Sequence, residues 1–552
     1  GLGAAAVLLL AACGGAAAPT ATPTRAPAPP PTAAPQPTPT PTAARPVVPG
    51  AAPTATPTPV PPTPIVGAKK GGTLRVVQGN NPSTLDPQTG VFGSDHFFFY
   101  AFFNNLVAYD KDVVLQPSLS LVEKWEIVDP VTIRLTLRKG VTFQDGTPFN
   151  AEAAVWNLNR VLDPATKSTE RTSVAVIQSI DKLDDFSIRL NLKNPSGSLL
   201  TALGDRAGTL LSPTAVQKLG DQFGQKPVGT GPWQVVSWTP GSAVEGVRFN
   251  SYWKPDLPFF DKLIIRIIPD PTVSFASLRT GEVDVAGIPP LDVDRAKADR
   301  NITVLSRASG GASIFINQTK PPMDNLKVRQ AIVYALDPEA INKLVFLGRN
   351  LPSTGGYWPP VTWAYKKLFD KWPTDPTKAK QLLAEAGLPD GFTLENITLT
   401  GSTSVQIPEV MKQQLAQVGI KMNITVHADA TNVFFTQPKG VGGKYHTYGG
   451  TGFSLRADPH GNAGIHMSSK GFYNLWLPHT EVDDLIDKAA SLYEQRERKE
   501  IYARIQELNW ANVNDIWWSY SVGFAGVRAD IQGADTLYGG EGKWRYEYLW
   551  RK

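Results

Sequence analysis

The stretch LRKGVTFQDGTPFNAEAAVWNLNR, from Leu137 to Arg160, reads as a strand end, a turn and a capped helix in succession. Upstream of it Val131, Ile133, Leu135 and Leu137 alternate, which is the period of a half-buried strand. Lys139-Gly140 turns the chain, Asp145-Gly146 repeats the turn chemistry, and Asn150 stands where a helix needs an N-cap acceptor. Downstream, Phe186, Ile188, Leu190 and Leu192 alternate again, so the region predicts an antiparallel β insertion.

Outward from this insertion the punctuation becomes that of an α/β protein. Asp270-Pro271, Asp337-Pro338 and Asp375-Pro376 each set a cap acceptor before a proline, whose missing N–H costs nothing at the first helical position. Helical apolar patterns follow and stop at Gly281, Gly348 and Gly387, where a left-handed residue is easiest without a Cβ. Val283 and Val285 then alternate after Gly281, and Ile420, Met422, Ile424 and Val426 after Gly419, giving repeated helix-to-strand units. One long helix is predicted near Thr480 to Asn509, with Thr480 and Asp483 as a capping box.

The chain of 552 residues is 42% hydrophobic and 19% charged, too long for a single core and too apolar for a disordered protein. Of its 48 prolines, 18 fall between Gly14 and Val66, where Arg25 and Arg45 are the only charges. Without that tract 52 basic residues face 49 acidic ones, which gives no footprint for nucleic acid. A single cysteine, Cys13, excludes a disulfide framework and a multi-cysteine metal site.

Leu8 to Ala12 closes an apolar run too short to span a bilayer but suited to a signal peptide. The sequence Leu10-Ala11-Ala12-Cys13 resembles the lipobox of bacterial lipoproteins, which implies cleavage before a lipidated Cys13. Residues 1–12 are therefore expected to be the end of a signal peptide whose start lies further upstream. Residues 13–68 are expected to form a lipidated cysteine and a disordered Pro/Thr/Ala-rich linker. At the polyproline II rise it would reach ~150 Å.

Further stretches recur in one order. Gly71 to Pro87, the segment from Trp125 to Arg160, Val228-Gly229-Thr230-Gly231-Pro232-Trp233, Leu278 to Val285, Asn325 to Gly348, Asp375 to Phe392 and Glu481 to Asn509 together resemble family 5 of the extracellular solute-binding proteins, the peptide/nickel/opine receptors of ABC importers. The resemblance implies an α/β periplasmic-binding-protein-like fold (type II, large cluster) with two lobes, an extra domain and a ligand cleft between the lobes. Lobe I would comprise 69–110, 221–305 and 515–552, the extra domain 111–220 and lobe II 306–514. Crossing segments near Val304 to Asn317 and Ile516 to Gly523 would form the hinge. Most motif residues have structural roles: Gly229 and Gly231 permit a tight approach beside Pro232, and no P-loop follows them.

Ligand contacts are expected from loops at the lobe edges. The candidates are Asn80, Asn81, Ser83, Asp95, Phe97 and Tyr100, then Tyr448, Thr451, Phe453, Arg456 and Asp458 in a glycine-rich loop where the family places ligand contacts, with Trp517 and Tyr520 on a crossing segment. Peptide-binding relatives carry an aspartate shortly before the Asp-Pro pair; here the matching residue is Leu455. An ammonium buried without a carboxylate costs several kcal/mol, which argues against recognition of a free peptide amine. Arg456 reads either as a carboxylate partner or as a surface residue, and Asp458 as a cap before Pro459. Five of six histidines lie between His427 and His479 without metal-ligand spacing.

No cofactor, metal or catalytic residue is expected. The function implied is capture of an oligopeptide, oligosaccharide or related small solute by lobe closure and delivery to ABC permease transmembrane subunits. The receptor would be a monomer held at the outer face of the cytoplasmic membrane, or in a periplasm, by lipid on Cys13. The alternatives are a secreted hydrolase, although neither a Gly-x-Ser-x-Gly elbow nor a His-Glu-x-x-His helix is present, and a receptor serving a membrane signalling partner.

Overall fold

The computed structural model describes residues 68–552 apart from 92, 429–432, 434–442, 470, 472–474, 476–477 and 540–542; at 309, 402 and 450–454 the side chains are not described. Residues 1–67, with Cys13 and the Pro-rich tract, lie outside the described residues.

In chain order the strands are β1 (Thr73–Gln78), then β2 (Val122–Asp129), β3 (Thr132–Leu137), β4 (Ile177–Asp184) and β5 (Ser187–Leu192), then β6 (Trp233–Thr239), β7 (Ala243–Arg248), β8 (Lys262–Ile267), β9 (Val285–Gly287), β10 (Ile302–Ile316), β11 (Leu351–Pro352), β12 (Thr393–Leu399), β13 (Lys421–His427), β14 (Thr447–Ser454) and β15 (Asp515–Arg528). One sheet has the order β13-β12-β14-β10-β15-β9-β1-β8-β7-β6, with β11 on β15. At one end β1 is parallel to β8 and β9; at the other β12 is parallel to β13 and β14. Among the described residues only β10 and β15 join the two ends of the sheet, antiparallel along their length.

Each of these two long strands serves both halves. The start of β10 faces the end of β15, which there carries β9, while the end of β10 carries β14. Register slips between Ala308 and Gly310 and again between Ala312 and Ser313. Such bulges bend a strand pair, here where the two halves meet. The crossing segments expected from the sequence coincide with these strands.

A separate antiparallel sheet, β2-β3-β5-β4, forms the insertion. Ile133, Leu135 and Leu137 of β3 and Ile188, Leu190 and Leu192 of β5 turn to one buried face, joined there by Leu158 and Val161 of helix α2, which follows α1 (His96–Phe102) and spans Ala151–Leu162. Burial of each such side chain contributes roughly 1.5–3 kcal/mol. Asn150 caps α2 by accepting from Ala153 N at 3.0 Å. The other cores lie around β1 and β8, with Leu74, Val76, Leu263 and Ile265, and around β12 and β13, with Leu394, Ile420 and Met422.

The Asp-Pro caps form as read: Asp270, Asp337 and Asp375 each accept from backbone N–H groups of the first turn. Gly281, Gly348 and Gly387 all have positive φ, at 78°, 72° and 81°. Two expectations are corrected. The long C-terminal helix is two helices, Thr480–Ser491 and Gln495–Asn512, because Leu492 leaves the helix in extended backbone. Thr480 does not cap it; His479 occupies that place, and Asp483 instead accepts from Ser468 Oγ at 2.9 Å and Ser469 N at 2.8 Å. The glycine-rich segment from Tyr448 is not a loop but strand β14, wedged between β10 and β12. Its Gly449 has φ 87° and sits where the pairing with β10 shifts register, a bulge that a side chain would strain.

The opening motif is a fastener. Gln144 donates to the carbonyls of Phe102, Gly231 and Trp233 at 3.0, 3.2 and 2.7 Å and accepts from Gly229 N at 3.0 Å. A Cβ on Gly231 would lie 2.2 Å from Phe102 C, so the Gly-Thr-Gly-Pro turn can approach α1 only with glycine. Gln144→Leu is expected to strand these buried groups and destabilise the protein by about 3 kcal/mol, read as a lowered denaturation midpoint with unchanged slope.

Candidate ligand cleft

The carboxyl ends of β1, β8 and β9 open onto a recess of about 370 Å³, walled by Gln78, Ile268, Ile288, Phe524 of the crossing strand and Trp544. In sheets with parallel strands ligands lie outside the carboxyl ends. An open depression of about 430 Å³ lies elsewhere, among Arg279, Arg295 and Arg300, without an aromatic wall.

Beside α1 a set of charged side chains joins three parts of the chain. His96 at the start of α1 meets Asp205 through Nε2 at 2.5 Å. Arg206 Nη2 donates to Glu170 Oε1 at 2.6 Å, and both side chains are buried, at 5% and 1% exposure. Arg456, which directly follows β14 and Leu455, comes from the other half of the large sheet. Its Nη1 donates to Glu170 Oε2 at 3.3 Å and to Asp205 Oδ2 at 3.4 Å.

Burial alone would raise both carboxyl groups, yet both are held below the ordinary carboxylate range. For Glu170 the charges of Arg456 and Arg206 outweigh burial; for Asp205 His96 acts first, then Arg456 and Arg206. Burial raises the Tyr109 hydroxyl well above its usual value, with Asp205 adding to the effect, so it stays a donor. His466, whose ring stacks on Phe315, is pushed down to about 3 by burial and then by Arg456. At neutral pH that ring is uncharged.

Because the folded pKa values of Glu170 and Asp205 are depressed, the stability they contribute is present above the unfolded carboxyl range and is lost as pH falls through the folded values. The network therefore holds from neutral pH down to about 4.5 and weakens in more acidic solution. In the closed, solute-saturated protein Arg456→Met should remove about 3 kcal/mol at pH 7, because it leaves two buried carboxylates short of a cation. The difference from wild type should shrink below about pH 4, as a pH series of melting curves would record.

The halves also touch along the flanks of the cleft. Gly197 N donates to Ala490 O at 2.8 Å, Ser196 N to Tyr493 Oη at 3.4 Å, and Tyr493 Oη to Pro130 O at 3.1 Å. On the other flank Arg349 Nε donates to Pro290 O at 2.7 Å and Nη2 to Asp294 at 2.8 Å. These contacts, with the Arg456 bridge, join the two halves beyond the crossing strands.

The residues singled out in the sequence are dispersed by the structure. Asn80 and Asn81 are exposed, and Asn81 Oδ1 accepts from Gly241 N at 2.9 Å, holding the β6–β7 turn. Ser83 and Asp95 form a clip, with Ser83 N and Oγ donating to the carboxylate at 3.0 and 2.6 Å. Phe97 packs edge-on against Trp544, and Tyr100 lies under the Arg545 guanidinium, 4.0 Å from ring centroid to Cζ. Tyr448, Trp517 and Tyr520 are buried: Tyr448 stacks on Phe315 at 5.3 Å, Trp517 packs on Tyr357 at 4.2 Å, and Tyr520 Oη donates to Gly356 O at 3.1 Å. Thr451 and Phe453 are on β14, and their side chains lie outside the described residues.

Asp458 accepts from His460 N at 2.8 Å, as a cap does, and also takes both Nη atoms of Arg498 at 2.6 and 2.8 Å. Leu455 packs against the core beside Tyr448. Of the residues singled out in the sequence, Arg456 joins the charged network directly. Glu170, Asp205, His96 and Arg545 were not singled out; no local pattern marks them, and Glu170 and Arg456 are 286 residues apart. Among the described residues no group of three or more His, Cys, Asp or Glu side chains could hold a metal ion, and no helix is long and apolar enough to cross a membrane.

Comparison with known proteins accounts for this architecture. The family described as bacterial extracellular solute-binding proteins, family 5 Middle, matches residues 116–473. The glutathione-binding protein GsiB of Escherichia coli (strain K12) is 30% identical over 488 residues, covering 83% of this chain and 94% of that protein. Among solved structures, the periplasmic binding protein DppA of Helicobacter pylori in complex with the peptide STSA superposes with a TM-score of 0.77 at 24% identity, covering 88% of this chain and 98% of that one. The oligopeptide-binding protein AppA of Bacillus subtilis, in complex with a nonapeptide, gives a TM-score of 0.76 at 22% identity over 88% of this chain and 100% of that one. With its two-lobed α/β body, paired crossing strands and interlobe cleft, the chain belongs to family 5 of the bacterial extracellular solute-binding proteins, the capture components of ABC importers.

Proposed function

We propose that this receptor captures a small peptide-class solute, glutathione and short peptides foremost, and that lobe closure over it completes the surface presented to the permease. The observation that carries this reading is the bridge from Arg456 to Glu170 and Asp205, because a charged contact made only between halves ties recognition to closure. The relatives that bind glutathione and peptides support the solute class. Leu455, partly buried against the core, speaks against an ammonium held by a lobe II aspartate at that place.

The reading extends to the organisation of the chain. Lobe I is assigned to 69–110, 221–305 and 515–552, the extra domain to 111–220 and lobe II to 306–514, in keeping with the separate cores and the two crossing strands. Cys13 would carry lipid and residues 14–68 would tether a monomeric body at the membrane surface; several acyl chains, at ~0.8 kcal/mol per buried CH₂, hold firmly. The solute leaves unaltered, since no step of capture requires catalysis.

Thermal unfolding of the purified chain with glutathione, tripeptides, oligosaccharides and opines tests the reading. A peptide-class solute at a hundredfold excess over its dissociation constant should add about 2.7 kcal/mol of apparent stability. Stabilisation by sugars alone, or turnover of the stabilising compound, would sink it.

A further inference from the structure

We propose that Arg545 is the anion-binding element of the cleft and takes a carboxylate of the captured solute; the assignment rests on the solute-capture reading above. Arg545 ends a short hairpin in which Tyr538 pairs with Trp544, and its own N–H donates to Leu537 O at 2.6 Å. The guanidinium lies over Tyr100 of α1, with Cζ 4.0 Å from the ring centroid. Gly539 leaves room for this placement, since a Cβ there would come within 3.3 Å of Nε.

The ring contact satisfies none of the guanidinium N–H donors. Nη2 is buried and has no acceptor, Glu547 Oε2 two residues on is likewise without a hydrogen-bond partner, and among the described residues Arg545 makes no ion pair. The arginines around the charged network differ in having carboxylate partners, Arg206 included although its Nε is also without an acceptor. Arg206 has Glu170, Arg456 has Glu170 and Asp205, and Arg498 has Asp458. A buried donor with no acceptor is destabilising, so the unfilled valence of Arg545 points to a partner from outside the chain.

Two further features place that partner in the cleft. Tyr100, which the guanidinium covers, lies 5.9 Å between ring centroids from His96, the partner of Asp205 in the charged network. Tyr109 Oη is also buried without a hydrogen-bond partner, and the charges acting on it are those of Asp205, Arg545, Arg456 and Glu170. Arg545 thus adjoins the network that closes the halves. A planar carboxylate matches the fork of a guanidinium in two parallel bonds. A dianionic phosphate would meet Glu170 and Asp205 nearby, so the carboxylate is favoured.

The test compares matched acids and neutral derivatives on the full chain by calorimetric titration: glutathione against its diethyl ester, trialanine against trialanine amide, and galacturonate against galactose. The acid of a bound pair should bind at least about thirtyfold tighter than its derivative to the wild type. Arg545→Gln should bring that ratio to within about threefold, and Arg545→Lys, which keeps the charge without the fork and guards against a folding defect in the first variant, should leave it in between. A folded Arg545→Gln protein that keeps the preference overturns the assignment. So does a wild type that binds derivatives as tightly as acids, or no acid at all. Binding of galacturonate without either peptide acid would refute the peptide class while leaving Arg545 in its role.

Discussion

Gly197→Val is expected to lower solute affinity at least a hundredfold while leaving the melting temperature of the solute-free protein nearly unchanged. Gly197 belongs to the insertion and sits against the break between the two C-terminal helices. Even a bare Cβ there would fall 1.7 Å from Leu492 O and 3.2 Å from Tyr493 Cα. No rotamer relieves a clash with a backbone atom, so the closed arrangement has to be given up, with the Gly197 N to Ala490 O bond lost at the same time. A penalty of about 2.7 kcal/mol on the closed form alone reduces the competent fraction about a hundredfold, and apparent affinity falls with it. Titration calorimetry reads the affinity and scanning calorimetry the stability. A loss of stability equal to the loss of affinity would mean that Gly197 packs one rigid body rather than a closing seam.

The second large effect is expected at Arg498. Its guanidinium is 4% exposed and makes a two-pronged pair with Asp458, while Nε donates to Ala489 O at 3.0 Å and Nη1 to Gly197 O at 3.4 Å. Burial disfavours the charge, but the Asp458 carboxylate dominates and raises Arg498 above its usual range. Arg498→Met leaves the Asp458 carboxylate buried without its cation, which costs about 3–5 kcal/mol. Denaturant titration should show that loss in the half of the sheet that carries β14. The double variant Arg498→Met, Asp458→Asn should recover much of it, because the stranded charge is then gone. Failure of the double variant to recover would assign the loss to packing over Trp363 and Tyr502, which the guanidinium also covers at 5.3 and 5.7 Å.

Much of the fold was legible because it is written in local patterns. The alternation at Ile133 to Leu137 and Ile188 to Leu192, the Asp-Pro caps and the glycine stops each depend on neighbours a few residues away, and all of them form. The family motif around Gln144 was legible as a motif but not as a fastener, because its four partners come from α1, the Gly-Thr-Gly-Pro turn and β6. The cleft was less legible for the same reason. Glu170 and Asp205 have no local signature, and their partner Arg456 is more than 250 residues on. Tyr448, Trp517 and Tyr520 were candidate ligand contacts; an aromatic at a sheet position serves the core equally well, and all three are buried, Tyr448 and Trp517 against other rings. The break at Leu492 was hidden because the apolar stripe continues through it on both sides.

The central claim is that two halves linked through the crossing strands β10 and β15 close on a solute. Spin labels at Leu183→Cys on the insertion and Val426→Cys on β13, both exposed positions, in a Cys13→Ser chain, measure this directly by pulsed dipolar spectroscopy. The account predicts a broad distance distribution without solute that collapses to one shorter distance with saturating peptide-class solute, and that returns unchanged solute on release. An identical distribution with and without a bound solute would contradict it.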